Sequence, residues 1–234
     1  MPVPQRRTLA RRLEDVDDFR TPSADLEQYL TPAEVASHVC HLAALQGDLA
    51  GETVVDLGTG TGMLAIGAAL CDAGRVVGID VDKDALALAR ENARSVLSDH
   101  AADSDSSASP SKRPPIEWIR GDVTRHPLAV NDVTVLSNPP FGAQRGNRHA
   151  DRDFLETASS IADTSYTIHN EGSQEFVESY ANDTGGTVTH AFRAAFSLSN
   201  RLEFHTEETR TLEAEVFRIE WDSSAVDPTS NTVS

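Results

Sequence analysis

The stretch TVVDLGTGTG at residues 53–62 joins a short apolar run to a turn rich in glycine. Residues 53–57 have the length and composition of a buried strand. The glycines allow the backbone to turn sharply and to approach a ligand closely, and the apolar residues 63–71 predict a helix. A strand, a glycine turn and a helix in this order are typical of α/β sheets, in which ligands bind at the carboxyl ends of the strands.

The same alternation of strand and helix extends outward from this stretch in both directions. Apolar runs predict strands at residues 53–57, 75–81, 116–120, 133–137, 165–169, 187–197 and 211–221. Helical spacing predicts helices at residues 6–17, 31–45, 63–71, 83–97, 154–162 and 174–180. Such alternation forms right-handed βαβ units, so we expect an α/β fold with a doubly wound, mostly parallel, seven-stranded sheet. The last two strands predict an antiparallel hairpin at its C-terminal edge.

These elements predict one domain over residues 1–222. Residues 98–115 form an acidic, serine-rich insertion that is too polar to pack, so we expect it to be disordered. Residues 223–234 are expected to be a flexible tail. Thr31-Pro32 marks a helix start, with Thr31 predicted as the N-cap and Pro32 as the first helical residue.

The net charge of −17 is extreme, and only two of the 20 basic residues are lysines, Lys83 and Lys112. This composition resembles that of proteins from halophilic archaea, in which surface carboxylates maintain solubility in molar salt. The alternative is an acidic protein that avoids nucleic acid, but molar salt weakens that argument because counterion release then drives little binding.

No segment reads as a signal peptide or as the roughly 18 apolar residues of a membrane span. Cys40 and Cys71 match no metal-ligand spacing, and we interpret them as buried thiols of a cytoplasmic protein. We therefore expect no metal site and no membrane partner.

Acidic residues follow or end three of the predicted strands. Asp56 precedes the first glycine of a G-x-G-x-G turn, which favours S-adenosylmethionine (SAM) over the alternative of a dinucleotide. Asp80 lies about 20 residues further on, where a carboxylate can accept the hydroxyls of a ribose. Asp82 is the better N-cap for the following helix, which leaves Asp80 for a ligand. Asp122 is placed to accept the amine of the cofactor's adenine, or is an ordinary loop acid.

The sequence NPPF at residues 138–141 follows the fourth strand, where two prolines force the chain to turn. The Asn138 oxygen and the Pro139 carbonyl can accept the two N–H groups of an exocyclic amine, and Phe141 can stack on the base. Pro140 completes this rigid turn. With the glycine turn and the acids, this predicts a class I SAM-dependent methyltransferase whose catalytic residues are Asn138, Pro139, Pro140 and Phe141.

Six motifs occur in order between about Leu9 and Trp221: LEQYLTP (26–32), DLGTGTG (56–62), IDVD (79–82), NPPFG (138–142), YTIH (166–169) and LEAEV (212–216). Together they resemble the archaeal and eukaryotic methyltransferase-like-five family, which methylates adenine N6 in small-subunit ribosomal RNA. The chain departs from eukaryotic members at Leu30, where they have proline, and in its serine-rich insertion.

The resemblance implies cofactor contacts at Gln28 and Thr31, from the segment before the second helix. The resemblance implies further contacts at Gly58, Thr61, Met63, Asp80 and Asp122, and the full set of predicted cofactor-binding residues is Gln28, Thr31, Asp56, Gly58, Gly60, Thr61, Met63, Asp80, Asp122 and Asn138. It also implies an RNA substrate and a small zinc-bearing partner subunit that adds to a sheet edge.

Three other functions remain open at this point. Related Asn-Pro-Pro enzymes methylate a glutamine amide in release factors, but they carry tyrosine at the fourth position and an added N-terminal domain. A SAM-binding or RNA-binding assembly factor without turnover is a second alternative, and DNA adenine methylation a third. His169 either lies near the substrate or ends a strand, and Arg145 and Arg148 either contact RNA phosphates or lie in a solvated loop.

Overall fold

A computed structural model of the protein describes residues 3–102, 116–140, 150–198 and 210–222. The strands are β1 (Thr53–Leu57), β2 (Arg75–Asp80), β3 (Ile116–Arg120), β4 (Val133–Ser137), β5 (Ala162–Asn170), β6 (Gly186–Leu198) and β7 (Arg210–Trp221). The helices are α1 (Arg6–Leu13), α2 (Ala33–Gln46), α3 (Met63–Leu70), α4 (Lys83–Ala102), α5 (Ala150–Ile161) and α6 (Gln174–Asp183).

The seven strands form one sheet in the order β3-β2-β1-β4-β5-β7-β6. Neighbouring strands from β3 to β5 run parallel, whereas β7 is antiparallel to both β5 and β6. The predicted doubly wound sheet and its antiparallel edge hairpin are therefore confirmed. Because β1, β2 and β4 are parallel neighbours, the residues that follow them meet at one edge of the sheet.

Helices cover both faces of the sheet. On one face Leu13 of α1, Val39 of α2 and Ile66 of α3 belong to a single apolar cluster. On the other face Leu155 of α5 and Val177 of α6 pack in a second cluster against β1, β2, β4, β5 and β7. This burial on both sides explains why the central strands are apolar throughout rather than alternating. Among the described residues, no helix is long and apolar enough to cross a membrane.

Several helix ends differ from the predicted ones. α1 ends at Leu13, because Val16 turns back to donate its backbone N–H to the Leu13 carbonyl, at 3.2 Å, and is buried there. The burial of Val16 therefore comes from a turn and not from helical spacing. α5 begins at Ala150, four residues before the predicted start, since its polar first turn carries no apolar signal.

The end of α4 also differs from the predicted one at residue 97. α4 continues to Ala102, so residues 98–102 are helical rather than disordered. The rest of the predicted insertion, residues 103–115, and the predicted tail, residues 223–234, lie outside the described residues.

Thr31 was predicted to cap α2, and that prediction is wrong. Pro32 occupies the N-cap position, and no side chain caps this helix end. The Thr31 hydroxyl instead accepts a hydrogen bond from Asn138, 2.9 Å away, so the residue belongs to the site at the edge of the sheet.

Candidate active site

The glycine turn after β1 adopts a backbone conformation that favours glycine. Gly58, Gly60 and Gly62 have φ values of 65°, 54° and 86°. A Cβ atom at Gly58 would lie 2.8 Å from the Phe154 ring, and one at Gly60 would lie 3.2 Å from the Phe19 ring. These two aromatic residues therefore pack directly on the turn, a role that their positions in the sequence do not signal.

Asp56 forms hydrogen bonds with both the glycine turn and helix α3. Its Oδ2 atom accepts hydrogen bonds from the Thr59 hydroxyl at 2.6 Å and from the Ala65 backbone N–H at 3.0 Å. The residue is 1% exposed. Burial raises the pKa of Asp56 to about 7, although the Thr59 and Ala65 hydrogen bonds oppose this shift. Asp56 thus joins the turn to the first residues of α3.

Asp80, at the end of β2, connects the glycine turn to the start of α4. Its Oδ2 atom accepts from the Gly60 N–H at 2.8 Å and its Oδ1 atom from the Asp82 N–H at 2.9 Å. Burial raises the pKa of Asp80. Asp82 caps α4 by accepting from the Asp84 N–H at 2.9 Å, as expected, and a ligand contact at Asp80 stays a prediction. A carboxylate has about four acceptor sites, so Asp80 retains acceptor capacity for a ligand.

Asp122 follows β3 and begins a short 3₁₀ turn. Its Oδ1 atom accepts from the Thr124 backbone N–H at 2.9 Å and from the Thr124 hydroxyl at 2.8 Å, which lowers the pKa of Asp122. The residue is exposed and also lines the cavity described below. The structure therefore gives Asp122 a local role in the loop as well as a place at the site.

An N-terminal arm (residues 17–32) crosses the cofactor side of the site. Asn92 of α4 holds its start, since it accepts from the Asp17 N–H at 3.1 Å and donates to the Thr61 carbonyl at 2.9 Å. Further along, the Gln28 amide donates to Asp82 Oδ2 at 2.8 Å. The arm is thereby attached at both the glycine turn and the end of β2.

Asn138 follows β4 and is hydrogen-bonded to the same arm. The Tyr29 hydroxyl donates to Asn138 Oδ1 at 2.8 Å, and Asn138 Nδ2 donates to the Thr31 hydroxyl at 2.9 Å. Burial raises the pKa of Tyr29 above its ordinary value, so this hydroxyl remains a donor. Sequence patterns did not reveal a role for Tyr29, although it lies within the Glu-Gln-Tyr motif.

These residues enclose one cavity of about 680 Å³ at the carboxyl edge of the sheet. The predicted site residues that line it are Gln28, Thr31, Asp56, Gly58, Gly60, Thr61, Met63, Asp80, Asp122, Asn138, Pro139 and Pro140. Tyr29, Phe19 and Phe154 line it as well. Phe141, Arg145 and Arg148 lie outside the described residues. Residues far apart in sequence thus form a single concave site of the size typical of small-ligand pockets.

His169 lies in the sheet and packs there as a neutral ring. It is 2% exposed, its Nε2 atom is 2.9 Å from the Thr167 hydroxyl, and the Phe176 and Phe217 rings contact it edge-on. Burial lowers the pKa of His169 to about 4. This environment favours the interpretation of His169 as a strand-end packing residue over a contact with substrate.

The strand order, the glycine turn after β1 and the acid that ends the neighbouring β2 are typical of the class I methyltransferases. Residues 37–106 match the model of the family "Ribosomal protein L11 methyltransferase (PrmA)". This match spans most of α2 through α4, which is the cofactor half of the fold, and it stops before β4 and Asn138.

Longer similarities extend across both halves. The zebrafish (Danio rerio) rRNA N(6)-adenosine-methyltransferase METTL5 is 31% identical over 88% of this chain and 94% of its own length. An uncharacterised protein of Methanocaldococcus jannaschii is 36% identical over 92% of this chain and 94% of its own. The chain belongs to the METTL5 family of rRNA N6-adenosine methyltransferases.

A solved structure supports the same assignment. A Pyrococcus horikoshii protein described as a "putative RNA methyltransferase" superposes with a TM-score of 0.77 at 32% identity. The superposition covers 93% of this chain and 98% of that one. The family and the fold are therefore shared over nearly the whole length of the chain.

Proposed function

We propose that the protein transfers a methyl group from SAM to the N6 atom of an unpaired adenine in RNA, and that its substrate is small-subunit ribosomal RNA. The observation that carries this proposal is the position of Asn138. It lines the same cavity as Asp80 and the glycine turn, and it follows β4, the neighbour of β1. Membership of the METTL5 family supports the choice of RNA adenine.

The described residues fit SAM. When bound, SAM supplies an electrophilic methyl group carried on a sulfonium sulfur. The lone pairs that remain on Asp80 can accept ribose hydroxyls beside the glycine turn. Asp122 also lines the cavity, where it can accept the amine of the cofactor's adenine, and Gln28 and Thr31 line the same cavity and are expected to hold the methionine end.

The Asn-Pro-Pro segment can hold the target base. The adenine N6 lone pair is delocalised into the ring, which makes it a weak nucleophile. Hydrogen bonds from N6–H to the Asn138 oxygen and the Pro139 carbonyl would draw the nitrogen towards tetrahedral geometry and aim its lone pair. Phe141 would stack on the ring, and the base must leave any duplex to reach the pocket. Asn138 is not a titratable base, so its contribution is positioning, an effect worth at most ~7–11 kcal/mol.

The proposal is tested by incubating the protein in molar KCl with SAM labelled on its methyl group. Parallel reactions contain unmodified small-subunit rRNA or a release factor, and the digested products are analysed for labelled N6-methyladenine and N5-methylglutamine. We expect label in N6-methyladenine. Label in glutamine would assign the protein to the release-factor enzymes instead. If neither labelled product forms, with or without a candidate partner subunit, the result would favour a SAM-binding or RNA-binding assembly factor without turnover.

Asn138→Ala tests the catalytic role directly. The substitution removes the acceptor for N6–H and leaves the glycine turn and Asp80 in place, so we expect methyl transfer to fall at least about 100-fold. SAM affinity, measured by calorimetry, is expected to change less than about three-fold. Asn182→Ala on the exposed surface of α6 is the matched control and should behave like the wild type. Turnover by Asn138→Ala near the wild-type rate would refute the assignment.

We also propose that a small zinc-bearing subunit pairs with this chain to form a heterodimer. β3 and β6 are the outer strands of the sheet, and strand addition to an edge is a common mode of partner binding. Mass measurement of the mixed proteins under native conditions, together with the methylation assay, tests this. Full activity of the isolated chain and absence of a complex would contradict it.

The setting that we propose is the cytoplasm of a salt-accumulating archaeon. The support is the charge of −17 together with two buried cysteines that are not disulfide-bonded. The proposal predicts that folding and activity require added salt, and full activity in low-salt buffer would contradict it.

A further inference from the structure

The side-chain amide of Asn138 has a hydrogen-bond partner at each end. Tyr29 donates to its oxygen at 2.8 Å, and its nitrogen donates to Thr31 at 2.9 Å. Tyr29 and Thr31 both belong to the N-terminal arm, and Tyr29 lies 109 residues from Asn138 in sequence. A residue outside the Asn-Pro-Pro motif therefore contacts the group expected to hold the target amine.

The hydrogen bonds with Tyr29 and Thr31 indicate which end of the Asn138 amide is the oxygen. The two ends of an asparagine amide have nearly the same shape, but one accepts hydrogen bonds and the other donates them. A half-turn of the amide would place its NH₂ group against the Tyr29 hydroxyl and its oxygen against Thr31. Hydroxyl groups can in principle serve both orientations, so the preference depends on Tyr29 acting as a donor.

Tyr29 has that role in the structure, because its hydroxyl donates to Asn138 Oδ1 at 2.8 Å, and only the protonated phenol can donate. Burial raises the pKa of Tyr29, and the Asn138 bond only partly opposes this shift. A neutral phenol that donates to Asn138 Oδ1 uses one of the two lone pairs on that oxygen. The other lone pair remains for an N–H group of a substrate.

The position of Tyr29 is fixed by its neighbour in the arm. Gln28 donates to Asp82 at 2.8 Å and accepts from the Ser23 backbone N–H at 2.8 Å. Asp82 in turn donates its own N–H to Asp80. Two adjacent arm residues, Gln28 and Tyr29, are thus hydrogen-bonded to the segment after β2 and to Asn138 respectively.

We propose that Tyr29 is a positioning residue that, with Thr31, fixes the Asn138 amide so that its oxygen faces the exocyclic amine of the target base. This inference rests on the proposed function. A fixed acceptor binds the amine of adenine, whereas it repels the carbonyl oxygen that guanine carries at the equivalent position. Tyr29 therefore contributes to base selection as well as to the rate.

Tyr29→Phe is the test, because it removes one oxygen atom and preserves the ring. We expect kcat for adenine methylation to fall roughly ten-fold or more, while SAM affinity stays within about two-fold and the melting temperature changes little. Tyr180→Phe on α6, which also removes one phenolic oxygen but lies away from the cavity, should retain the wild-type kcat. An unchanged kcat for Tyr29→Phe would overturn the proposal, as would parallel losses of SAM affinity, melting temperature and kcat.

A double-mutant cycle with Thr31→Val gives a second readout. Both substitutions act through one amide, so the combined loss in kcat should be smaller than the product of the two single losses. Losses that simply multiply would show that Tyr29 and Thr31 act independently, against the proposal. The wild-type protein is assayed alongside, because its failure to methylate adenine would refute the proposed function and not the role of Tyr29.

Discussion

Asp80 lies between two backbone amides and is nearly buried, whereas Asp122 is exposed and caps a turn. We therefore expect Asp80→Asn to weaken SAM binding more than the same change at Asp122. Loss of a charge-assisted hydrogen bond is worth about 1.5–3 kcal/mol, which corresponds to a roughly 10- to 100-fold rise in Kd. Calorimetric titration with SAM measures this effect.

Asp84→Asn provides the control for Asp80→Asn. Asp84 is exposed on α4, and the substitution changes the net charge by the same amount. A similar loss of SAM affinity in both variants would show that overall charge, and not a ribose contact, is responsible.

The low pKa of His169 predicts a pH dependence of stability. The pKa is about 4 in the folded protein and ordinarily 6.5, so between these values the unfolded chain binds a proton that the folded protein excludes. The contribution is present above pH 6.5 and is lost as the pH falls to about 4. Relative to His169→Gln, the wild type should lose on the order of 3 kcal/mol across this window.

Urea unfolding at successive pH values measures the difference between these two proteins. His190→Gln, at a partly exposed histidine of β6, serves as the control and should show no comparable trend. A difference between wild type and His169→Gln that is constant from pH 7 to pH 4 would contradict the prediction.

The sequence predicts those site residues that lie directly after strands, among them Asp80 and Asn138. A strand end is a local signal, and its place at the edge of a parallel sheet follows from the fold class. The roles of Tyr29 and Phe19 cannot be predicted in this way, because they depend on contacts with Asn138 and Gly60 across the fold. Neither residue stands at a strand end, and no spacing in the sequence links them to their partners.

Among the elements, the antiparallel pair β6–β7 is fixed to the rest of the fold by a buried polar cluster. Arg218 of β7 is 7% exposed and donates from Nε to Asp48 Oδ2 at 2.8 Å and to the Tyr166 hydroxyl at 3.0 Å. Asp48 follows α2, and Tyr166 belongs to β5. The cluster therefore ties β7 both to its neighbour in the sheet and to the helical layer.

Arg218→Met is expected to destabilise the protein by about 3 kcal/mol, the lower end for a buried ion pair, because the Asp48 side chain is only 14% exposed and its carboxylate would lose its cation. Urea unfolding measures the loss. The control is Arg75→Met, since the Arg75 and Glu117 side chains of that ion pair are 51% and 50% exposed and a solvated pair is expected to contribute little. Equal losses in the two variants would contradict the structural importance of the buried cluster.

The boundaries of the elements show what local patterns can predict. The predicted bounds of β1, β3 and β4 match the structure, because short apolar runs bordered by polar or glycine residues have clear ends. Helix ends were less predictable. α4 extends through polar residues to Ala102, and the first turn of α5 is polar, so neither end carries the apolar spacing on which the prediction depended.

For the whole molecule, the net charge of −17 predicts that salt stabilises the fold. Mutual repulsion of the carboxylates opposes the compact state, and the Debye length falls from about 10 Å at 0.1 M to about 3 Å at 1 M salt. We expect the melting temperature to rise as KCl increases over this range. Sucrose at matched osmolality is the control for non-ionic effects, and a melting temperature that is unchanged or lowered by KCl would contradict the prediction.

The place of β7 in the sheet has a consequence for how the protein is made. β7 is the last of the described strands in sequence, yet it lies between β5 and β6, and in the described sheet β6 pairs with β7 alone. Arg218 likewise joins Asp48 across 170 residues. During synthesis β6 therefore has no strand to pair with until β7 has left the ribosome. Contacts between residues so distant in sequence also form slowly. Until then the edge of β5 is open to pairing with other chains, so we expect slow completion of translation to increase aggregation of this protein.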